Sequence, residues 1–179
     1  MEQIKRIGRE LIKNGSIIDY YQDIIELPDG KTVRYDLIDH KGAAAIVPVL
    51  DDGRIVMVRQ FRNALDRFTL EIPAGGLNGR TEPTYDAAKR ELSEETGFIS
   101  DDLELLISIN TTVAFCNEKI DIYVAKNLRP GEQHLDEDEY VEYEAYEVDE
   151  LVKMIYACEI KDSKTICAIL AYKEKYVNV

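Results

Sequence analysis

The sequence of 179 residues predicts an α+β fold or a mixed-sheet sandwich, not a doubly wound fold. Strand and helix patterns follow one another irregularly, without the repeated βαβ units of a doubly wound protein. The run at 43–50 is almost wholly apolar, as in a strand that is covered on both faces. A helix is expected at 83–96, because Pro83 suits a first turn and Gly97 suits the position just past the end.

The first 40 residues are rich in Ile and Tyr and predict a small antiparallel sheet with strands at 16–27 and 32–38. This sheet is too small to bury its own apolar face, so we expect it to pack on the main domain or on a second subunit. We therefore expect two parts. An N-terminal sheet segment at 1–41 would serve dimerisation and substrate contact, and the main domain would occupy 42–179.

Within the main domain, apolar periodicity separates strands from helices. The helix at 83–96 is expected to turn Tyr85, Ala88 and Leu92 toward the core. Residues 73–76 are expected to form a loop, since Pro and two Gly break regular structure. Further strands are expected at 54–61, 68–72, 103–109, 119–125 and 140–148, a polar loop at 127–138, and helices at 150–157 and 163–176.

The composition argues against several classes of partner. A net charge of −13 disfavours a sequence-independent grip on nucleic acid and binding to an anionic membrane surface. No apolar run approaches the roughly 18–20 residues of a spanning helix, and the charged start does not fit a signal peptide. Three scattered cysteines fit neither a zinc spacing nor a disulfide framework, so we expect a cytoplasmic protein.

Three carboxylates are predicted to project from one face of the helix at 83–96. Glu91, Glu94 and Glu95 stand at i, i+3 and i+4, a spacing at which like charges repel. A hard divalent cation such as Mg²⁺ or Mn²⁺ would turn that repulsion into coordination. The chemistry that follows is attack of water on a phosphate ester or anhydride. The alternative is a solvated acidic face on which Arg90 makes surface ion pairs.

The same carboxylates belong to a longer motif of seven fixed residues and two apolar ones over 23 positions. The motif reads Gly76, five residues, Glu82, seven residues, Arg90-Glu91-Leu92, one residue, Glu94-Glu95, one residue, Gly97-Phe98. This pattern matches the Nudix box at every fixed position, and the protein resembles a Nudix hydrolase, a family that cleaves nucleoside diphosphates linked to another moiety. The resemblance implies an αβα sandwich around a mixed β-sheet, with the box as loop–helix–loop.

The resemblance also implies a role for each residue of the box. Glu91 and Glu95 would bind the metal ion, and Glu94 would assist. Arg90 would organise these carboxylates, and Glu82 would lie near the metal. The glycines that would shape the two loops are Gly76 and Gly97.

Beyond the box, the segments 58–62, 71–75, 131–139 and 160–165 resemble the ADP-ribose pyrophosphatase subfamily. Nearly the whole chain therefore takes part in the resemblance.

The subfamily resemblance implies further site residues. The carbonyl of Ala74 would complete a metal site, Arg62 would contact the substrate phosphate, and Arg59 is a second substrate-binding candidate. A Glu on the late loop would orient or deprotonate water. Glu139 is the best match for it and Glu137 the next, with solvation as the alternative for both.

One departure from the subfamily concerns residues 112–115, which lack the usual Pro and Gly of a turn. Glu118 follows at the expected place and is a substrate-binding candidate. The departure weakens ADP-ribose against another sugar nucleotide such as GDP-mannose or ADP-glucose. Tyr20 is a candidate for stacking on the base, with core packing or a dimer contact as its alternative.

These expectations combine into a homodimeric, Mg²⁺-dependent pyrophosphatase that converts ADP-ribose to AMP and ribose 5-phosphate. The alternatives are a pyrophosphatase for another sugar nucleotide and a non-catalytic sensor of such a compound. The complete set of box carboxylates disfavours the sensor. Neither a nucleic acid nor a membrane is expected as a partner.

Overall fold

The computed structural model describes residues 3–135 and 140–178, which form two compact units. The first unit runs to Gly42 and adds Asn110–Lys119. The second holds Ala43–Ile109 and the chain from Ile120 onward. The sequence predicts a division at residue 41 and does not predict that Asn110–Lys119 belongs to the first unit.

The first unit is built on three antiparallel strands in the order β1-β2-β3. They are β1 (Lys5–Asn14), β2 (Asp19–Glu26) and β3 (Thr32–Asp39). The sequence predicted β2 and β3 but not β1, whose charged, almost wholly exposed residues lack a clear apolar alternation. Charge pairing holds β1 to β2, since the Arg9 Nε donates to Asp23 Oδ1 at 2.6 Å.

The segment Asn110–Lys119 attaches to the end of β3. The Ile38 N–H donates to the Phe115 carbonyl at 2.7 Å, and the Asn117 N–H donates to the Ile38 carbonyl at 3.3 Å. The Asn117 side chain donates to Asp39 Oδ1 at 2.5 Å. These bonds satisfy backbone groups that the sheet edge would otherwise leave open.

The remaining strands and the three α-helices form the second unit, apart from the ends of β9 and β10 that reach into the first. No helix in the described part of the chain is long and apolar enough to cross a bilayer. The elements are β4 (Ala43–Pro48), β5 (Ile55–Arg62), a 3₁₀ turn (Asn63–Leu65), β6 (Arg67–Glu71), β7 (Ala74–Gly76), α1 (Thr84–Thr96), β8 (Phe98–Ile99), β9 (Asp102–Asn110), β10 (Lys119–Lys126), β11 (Arg129–Pro130), β12 (Val141–Tyr146), α2 (Val148–Tyr156), α3 (Ser163–Tyr172) and a π-helical turn (Lys173–Val177).

The central sheet is mixed. Its order is β7-β4-β10-β9, with β4 and β10 parallel and β4 and β7 antiparallel. A second, antiparallel sheet has the order β12-β5-β6, and β8 pairs with β11 in a short ladder. Strands and helices are therefore mixed without βαβ repetition, which confirms the expected α+β class.

Strand β4 shows why its sequence is apolar throughout. Successive side chains of a strand point to opposite faces, and here both faces are covered. Ile46 packs in one cluster with Leu92 of α1. Val47 packs in another with Leu151 of α2 and Ile169 of α3. All five side chains are fully buried, so helices cover the mixed sheet on both sides in the αβα arrangement.

Helix α1 begins and ends close to where its capping signals predict. Pro83 is the N-cap residue with an extended backbone, and Gly97 follows the helix with φ of 71°, a left-handed conformation that favours glycine. One expected core position is wrong. Tyr85 is 36% exposed, because it lies in the first turn, where its ring packs edge-to-face on Tyr123 at 5.9 Å.

Candidate active site

Helix α1 brings two carboxylates to the interior of the second unit. Its apolar residues Ala88 and Leu92 are fully buried, which fixes the rotation of the helix. Glu91 and Glu95 lie one turn apart and are only 7% and 2% exposed. Because a buried carboxylate is costly unless it is paired, these two side chains need partners close by.

Strand β7 lies against both carboxylates. The Ala74 N–H donates to Glu95 Oε2 at 3.1 Å. Gly75 lies against Glu91 so closely that a Cβ atom at this position would collide with the Glu91 carboxylate. The absence of a side chain at Gly75 therefore lets β7 approach the helix, and the two buried carboxylates lie against residues 74–75.

Arg90 organises the carboxylates around it. One terminal nitrogen, Nη1, donates to Glu91 Oε1 at 2.5 Å and to Glu94 Oε2 at 2.8 Å. The Nε atom lies 3.4 Å from Glu82 Oε1, and Nη2 donates to the Gly76 carbonyl at 3.0 Å. We call Glu82, Arg90, Glu91 and Glu94 the Arg90 cluster. Burial opposes the charged form of Arg90, but Glu91, Glu94 and Glu82 outweigh it and raise the pKa of the guanidinium.

The donor set of this region fits a hard divalent cation. It consists of carboxylate oxygens and the Ala74 backbone, which Mg²⁺ and Mn²⁺ prefer. Within residues 3–135 and 140–178, no three acidic, His or Cys side chains are drawn together as a metal centre. Arg90 instead pairs with Glu91 and Glu94, while Glu95 accepts the Ala74 amide. The carboxylates of the Arg90 cluster outnumber its single guanidinium by three to one, so added positive charge is favoured there.

A second charged group surrounds Glu71, which is 2% exposed. Arg62 binds it in bidentate fashion, with Nε to Oε1 at 2.8 Å and Nη2 to Oε2 at 2.6 Å. The Thr69 hydroxyl donates to Oε1 at 2.6 Å, and the Lys164 ammonium donates to Oε2. Lys164 also donates to Asp162 Oδ2 at 3.0 Å. We call these five residues the Glu71 cluster.

Charge pairing in the Glu71 cluster overcomes burial. Burial alone would raise the pKa of Glu71, but the bonds and charges of Arg62, Lys164 and Thr69 lower it to about 2. The hydrogen bonds that Arg62 donates to Glu71 likewise raise the pKa of Arg62. Both groups are therefore charged at neutral pH.

The two arginines expected at the substrate lie on opposite faces of β5. Alternation along the strand separates Arg59 from Arg62. Arg62 is turned toward Glu71. Arg59 is exposed and its guanidinium lies over the Phe68 ring, 5.7 Å from the centroid. The structure thus joins only Arg62 to the buried charged groups.

The late loop packs on the end of α1. The Gly131 N–H donates to the Gly97 carbonyl at 2.6 Å. A Cβ atom at Gly97 would lie 3.0 Å from the Gln133 nitrogen, so this position needs glycine for the approach of the loop as well as for its positive φ. Glu137 and Glu139, the two carboxylates expected to act on water, lie outside the described residues.

Residues 133 and 134 are nevertheless fastened to α1, and Val141 is bonded to the Gln133 side chain. The Gln133 side chain donates to the Glu95 carbonyl at 2.6 Å and to the Val141 carbonyl at 3.3 Å. The His134 N–H donates to the Glu94 carbonyl at 3.1 Å. Residues 133 and 134 are therefore held at the last turn of the helix that carries the box carboxylates.

Tyr20 and Glu118 belong to the first unit. The Tyr20 hydroxyl donates to Asp36 Oδ1 at 2.6 Å. Glu118 accepts a hydrogen bond from the Thr111 hydroxyl at 2.7 Å. An open groove of about 470 Å³ lies in this unit. Tyr35 lines this groove, whereas Tyr20 does not.

Sequence reasoning assigned no role to Glu71, Gln133 or Lys164. Each of them stands in one of the segments that carry the subfamily resemblance. Their place in these segments was the only hint of a role in the sequence. It did not reveal their hydrogen-bond partners, which lie far away along the chain. Lys164 and Glu71, for example, are 93 residues apart.

Comparison with known proteins agrees with this site. Residues 39–166 match the NUDIX domain. The chain is 40% identical over 167 residues to the ADP-ribose pyrophosphatase of Bacillus subtilis and, over the same length, to the methanol dehydrogenase activator of Bacillus methanolicus. Each alignment covers 92% of this chain and 90% of the relative. The protein belongs to the NUDIX domain family and is a Nudix hydrolase.

A solved structure supports the fold independently. The crystal structure of an ADP compounds hydrolase superposes with a TM-score of 0.85 at 21% sequence identity. The superposition covers 97% of this chain and 94% of the other. The αβα fold expected from the box is thereby confirmed.

Proposed function

We propose that the protein hydrolyses the diphosphate bond of ADP-ribose, giving AMP and ribose 5-phosphate, with Mg²⁺ as its cofactor and Mn²⁺ as a substitute. The observation that supports this most is the placement of two nearly buried carboxylates, Glu91 and Glu95, against residues 74–75. The names of the relatives in Bacillus subtilis and Mycobacterium tuberculosis, both ADP-ribose pyrophosphatases, support the choice of substrate.

The metal ion would be held by Glu91, Glu95 and Glu94 with the Ala74 carbonyl. When bound, it supplies a Lewis acid for the diphosphate oxygens and acidifies water. The protein itself holds the metal-binding carboxylates in position. Arg90 pairs with Glu91 and Glu94 and fixes their direction, and it would offset their mutual repulsion on the helix.

Arg62 is the proposed partner of the substrate diphosphate, because a guanidinium fork matches phosphate oxygens. Glu139 is proposed to take the proton of the attacking water, with Glu137 as the second candidate. The attachment of residues 133 and 134 to the last turn of α1, with Val141 bonded to Gln133, supports this role. Loop closure over the substrate would complete the site.

The N-terminal segment, 1–41, is proposed to mediate a cytoplasmic homodimer and to contact the base, while 42–179 would hold the chemistry. The strands of the first unit expose large apolar side chains, among them Ile7, Leu11 and Ile12. Large apolar side chains exposed in one element support an interface there. Glu118 and the tyrosines of this unit remain candidates for substrate contact.

The test is a substrate panel with the full-length protein. ADP-ribose, ADP-glucose and GDP-mannose are incubated with Mg²⁺, with Mn²⁺ and with EDTA, and the products are separated and identified. We expect AMP and ribose 5-phosphate from ADP-ribose, at the highest kcat/KM of the panel, and no turnover in EDTA. Preference for another sugar nucleotide would mean that this compound, and not ADP-ribose, is the substrate. Tight binding without turnover would indicate a sensor.

A second candidate function rests on the relative in Bacillus methanolicus, whose name is methanol dehydrogenase activator. Its identity of 40% equals that of the pyrophosphatase relative. The test is a methanol dehydrogenase assay with and without this protein. Activation that disappears in Glu95→Gln would assign both functions to the same site.

A further inference from the structure

The first turn of α3 fastens the segment that precedes the metal-binding strand. The Lys164 ammonium binds the Glu71 carboxylate. The Ile72 N–H donates to the Thr165 hydroxyl at 3.0 Å. Asp162 caps the helix by accepting the Thr165 N–H at 2.9 Å and its hydroxyl at 2.6 Å. Two successive residues, 71 and 72, are thus held by one helical turn.

Arg62 is held on one edge and open on the other. Glu71 occupies its Nε and Nη2. Its Nη1 makes no hydrogen bond to any residue of the described ranges, and the side chain is 37% exposed. Glu95 acts on this guanidinium electrostatically, so Arg62 lies within the field of the box carboxylates. An arginine with a fixed orientation and one free edge is suited to bind a phosphate oxygen.

The charges of the Glu71 cluster balance. Glu71 and Asp162 are matched by Arg62 and Lys164. Glu71 pairs with both Arg62 and Lys164. Its single negative charge is therefore divided between two cations and does not fully cancel the charge of Arg62. Without the ammonium the cluster would hold one net negative charge, close to the place where a diphosphate, itself an anion, has to bind. A like charge in a partly buried site disfavours that binding.

We propose that Lys164 is a positioning residue for the substrate diphosphate, which it serves by sharing Glu71, so that it sets the orientation of Arg62 and cancels the second negative charge of the cluster. The proposal rests on the proposed function for the identity of the substrate. Lys164 does not touch the substrate. Its effect belongs to ground-state binding and not to the chemical step.

Three variants separate charge from structure: Lys164→Met, Asp162→Asn and the double variant. KM and kcat are measured for ADP-ribose with Mg²⁺, and Kd for ADP-ribose is measured by calorimetry in EDTA. Lys164→Met is expected to raise KM and Kd about tenfold and to change kcat less than about threefold. Asp162→Asn removes a negative charge, keeps the cap and should not raise KM. The double variant restores the balance and should return to within about threefold of wild type.

Lys173→Met is the matched control. This lysine follows α3 and pairs with the exposed Asp149 at 2.8 Å, outside the cluster. Its loss should change KM by less than about twofold, since exposed ion pairs are screened. An unchanged KM in Lys164→Met would overturn the proposal. So would a double variant that binds ADP-ribose as weakly as Lys164→Met, because that result assigns Lys164 a purely structural role.

Folding and function are checked separately. Should Lys164→Met fail to give a cooperative thermal transition, the double variant, which leaves no unpaired buried charge, decides by its KM alone. If wild type binds ADP-ribose in EDTA but does not hydrolyse it with Mg²⁺, the proposed function fails, and the calorimetric series still decides the role of Lys164. If wild type does not bind ADP-ribose, both proposals are overturned.

Discussion

The Arg90 cluster and the Glu71 cluster are two buried charge networks with opposite designs. In the first, one guanidinium faces the carboxylates of Glu82, Glu91 and Glu94. In the second, two cations meet two carboxylates and the charges cancel. Burial penalises any charge that is left over. An excess of carboxylate therefore favours a cation from outside, whereas a balanced network with one open arginine edge favours an anion.

Under the proposed function, this difference gives each network a separate role with a metal diphosphate complex. The acidic network would accept the metal ion, and the neutral network would accept the diphosphate. Both reach residues 71–75 from different helices, since Glu91 of α1 lies against Gly75 and Lys164 of α3 binds Glu71. The predictions below change residues in or beside the two networks one at a time, beginning with the largest expected effect.

Glu95→Gln is expected to lower kcat for ADP-ribose at least about 100-fold, in line with several kcal/mol of metal-derived stabilisation. Gln has the same size and its carbonyl oxygen still accepts the Ala74 N–H, so the fold should survive. Steady-state kinetics at saturating Mg²⁺ measure the loss, and thermal unfolding in EDTA checks stability. Glu104→Gln, which removes an exposed carboxylate paired with Lys175, is the control. Turnover near wild type would remove Glu95 from the metal site.

The two networks also differ in how far the sequence predicted them. The Arg90 cluster is local, with partners from one to eight residues from Arg90, and its helix has clear periodicity and caps. Helical geometry therefore brings the carboxylates together before any tertiary structure is known. The Glu71 cluster joins residues 93 apart, and no local rule pairs Lys164 with Glu71. Strand β1 was not predicted for another reason: its exposed charged residues show little alternation between apolar and polar positions.

Glu139→Gln is expected to lower kcat by about 100-fold, within the range of general base catalysis, with little change in KM. Water activation stabilises the transition state and not the bound substrate. Glu137→Gln should cost clearly less, and the reverse ranking would move the role to Glu137. Small and equal effects would assign the proton to Glu94 or to water activated by the metal alone. Kinetics of both variants in one assay make this comparison.

Acid should weaken the Glu71 cluster through its carboxylate. The pKa of Glu71 is lowered from 4.5 to about 2 in the folded protein, so the unfolded chain binds the proton first. The stabilisation of the folded state by the charged Glu71 is present above about pH 4.5 and is lost as the pH falls toward 2. Between pH 6 and pH 3 we expect the unfolding free energy of wild type to fall by about 2 kcal/mol relative to Glu71→Gln. Urea unfolding at each pH measures the difference. A difference that stays constant would contradict the charged state of Glu71.

The smallest expected effect concerns the strand between the two networks. Gly75→Ala would place a methyl group against the Glu91 carboxylate, so that β7 or the carboxylate must move. Because a small misplacement of a ligand is costly, kcat should fall about tenfold and the apparent affinity for Mg²⁺ should weaken. Gly76→Ala, one residue further on, meets open space and should cost less than about threefold. Mg²⁺ titrations of activity in the two variants compare them directly. Equal losses at both positions would mean that backbone flexibility, and not the space that Glu91 requires, explains the glycine at 75.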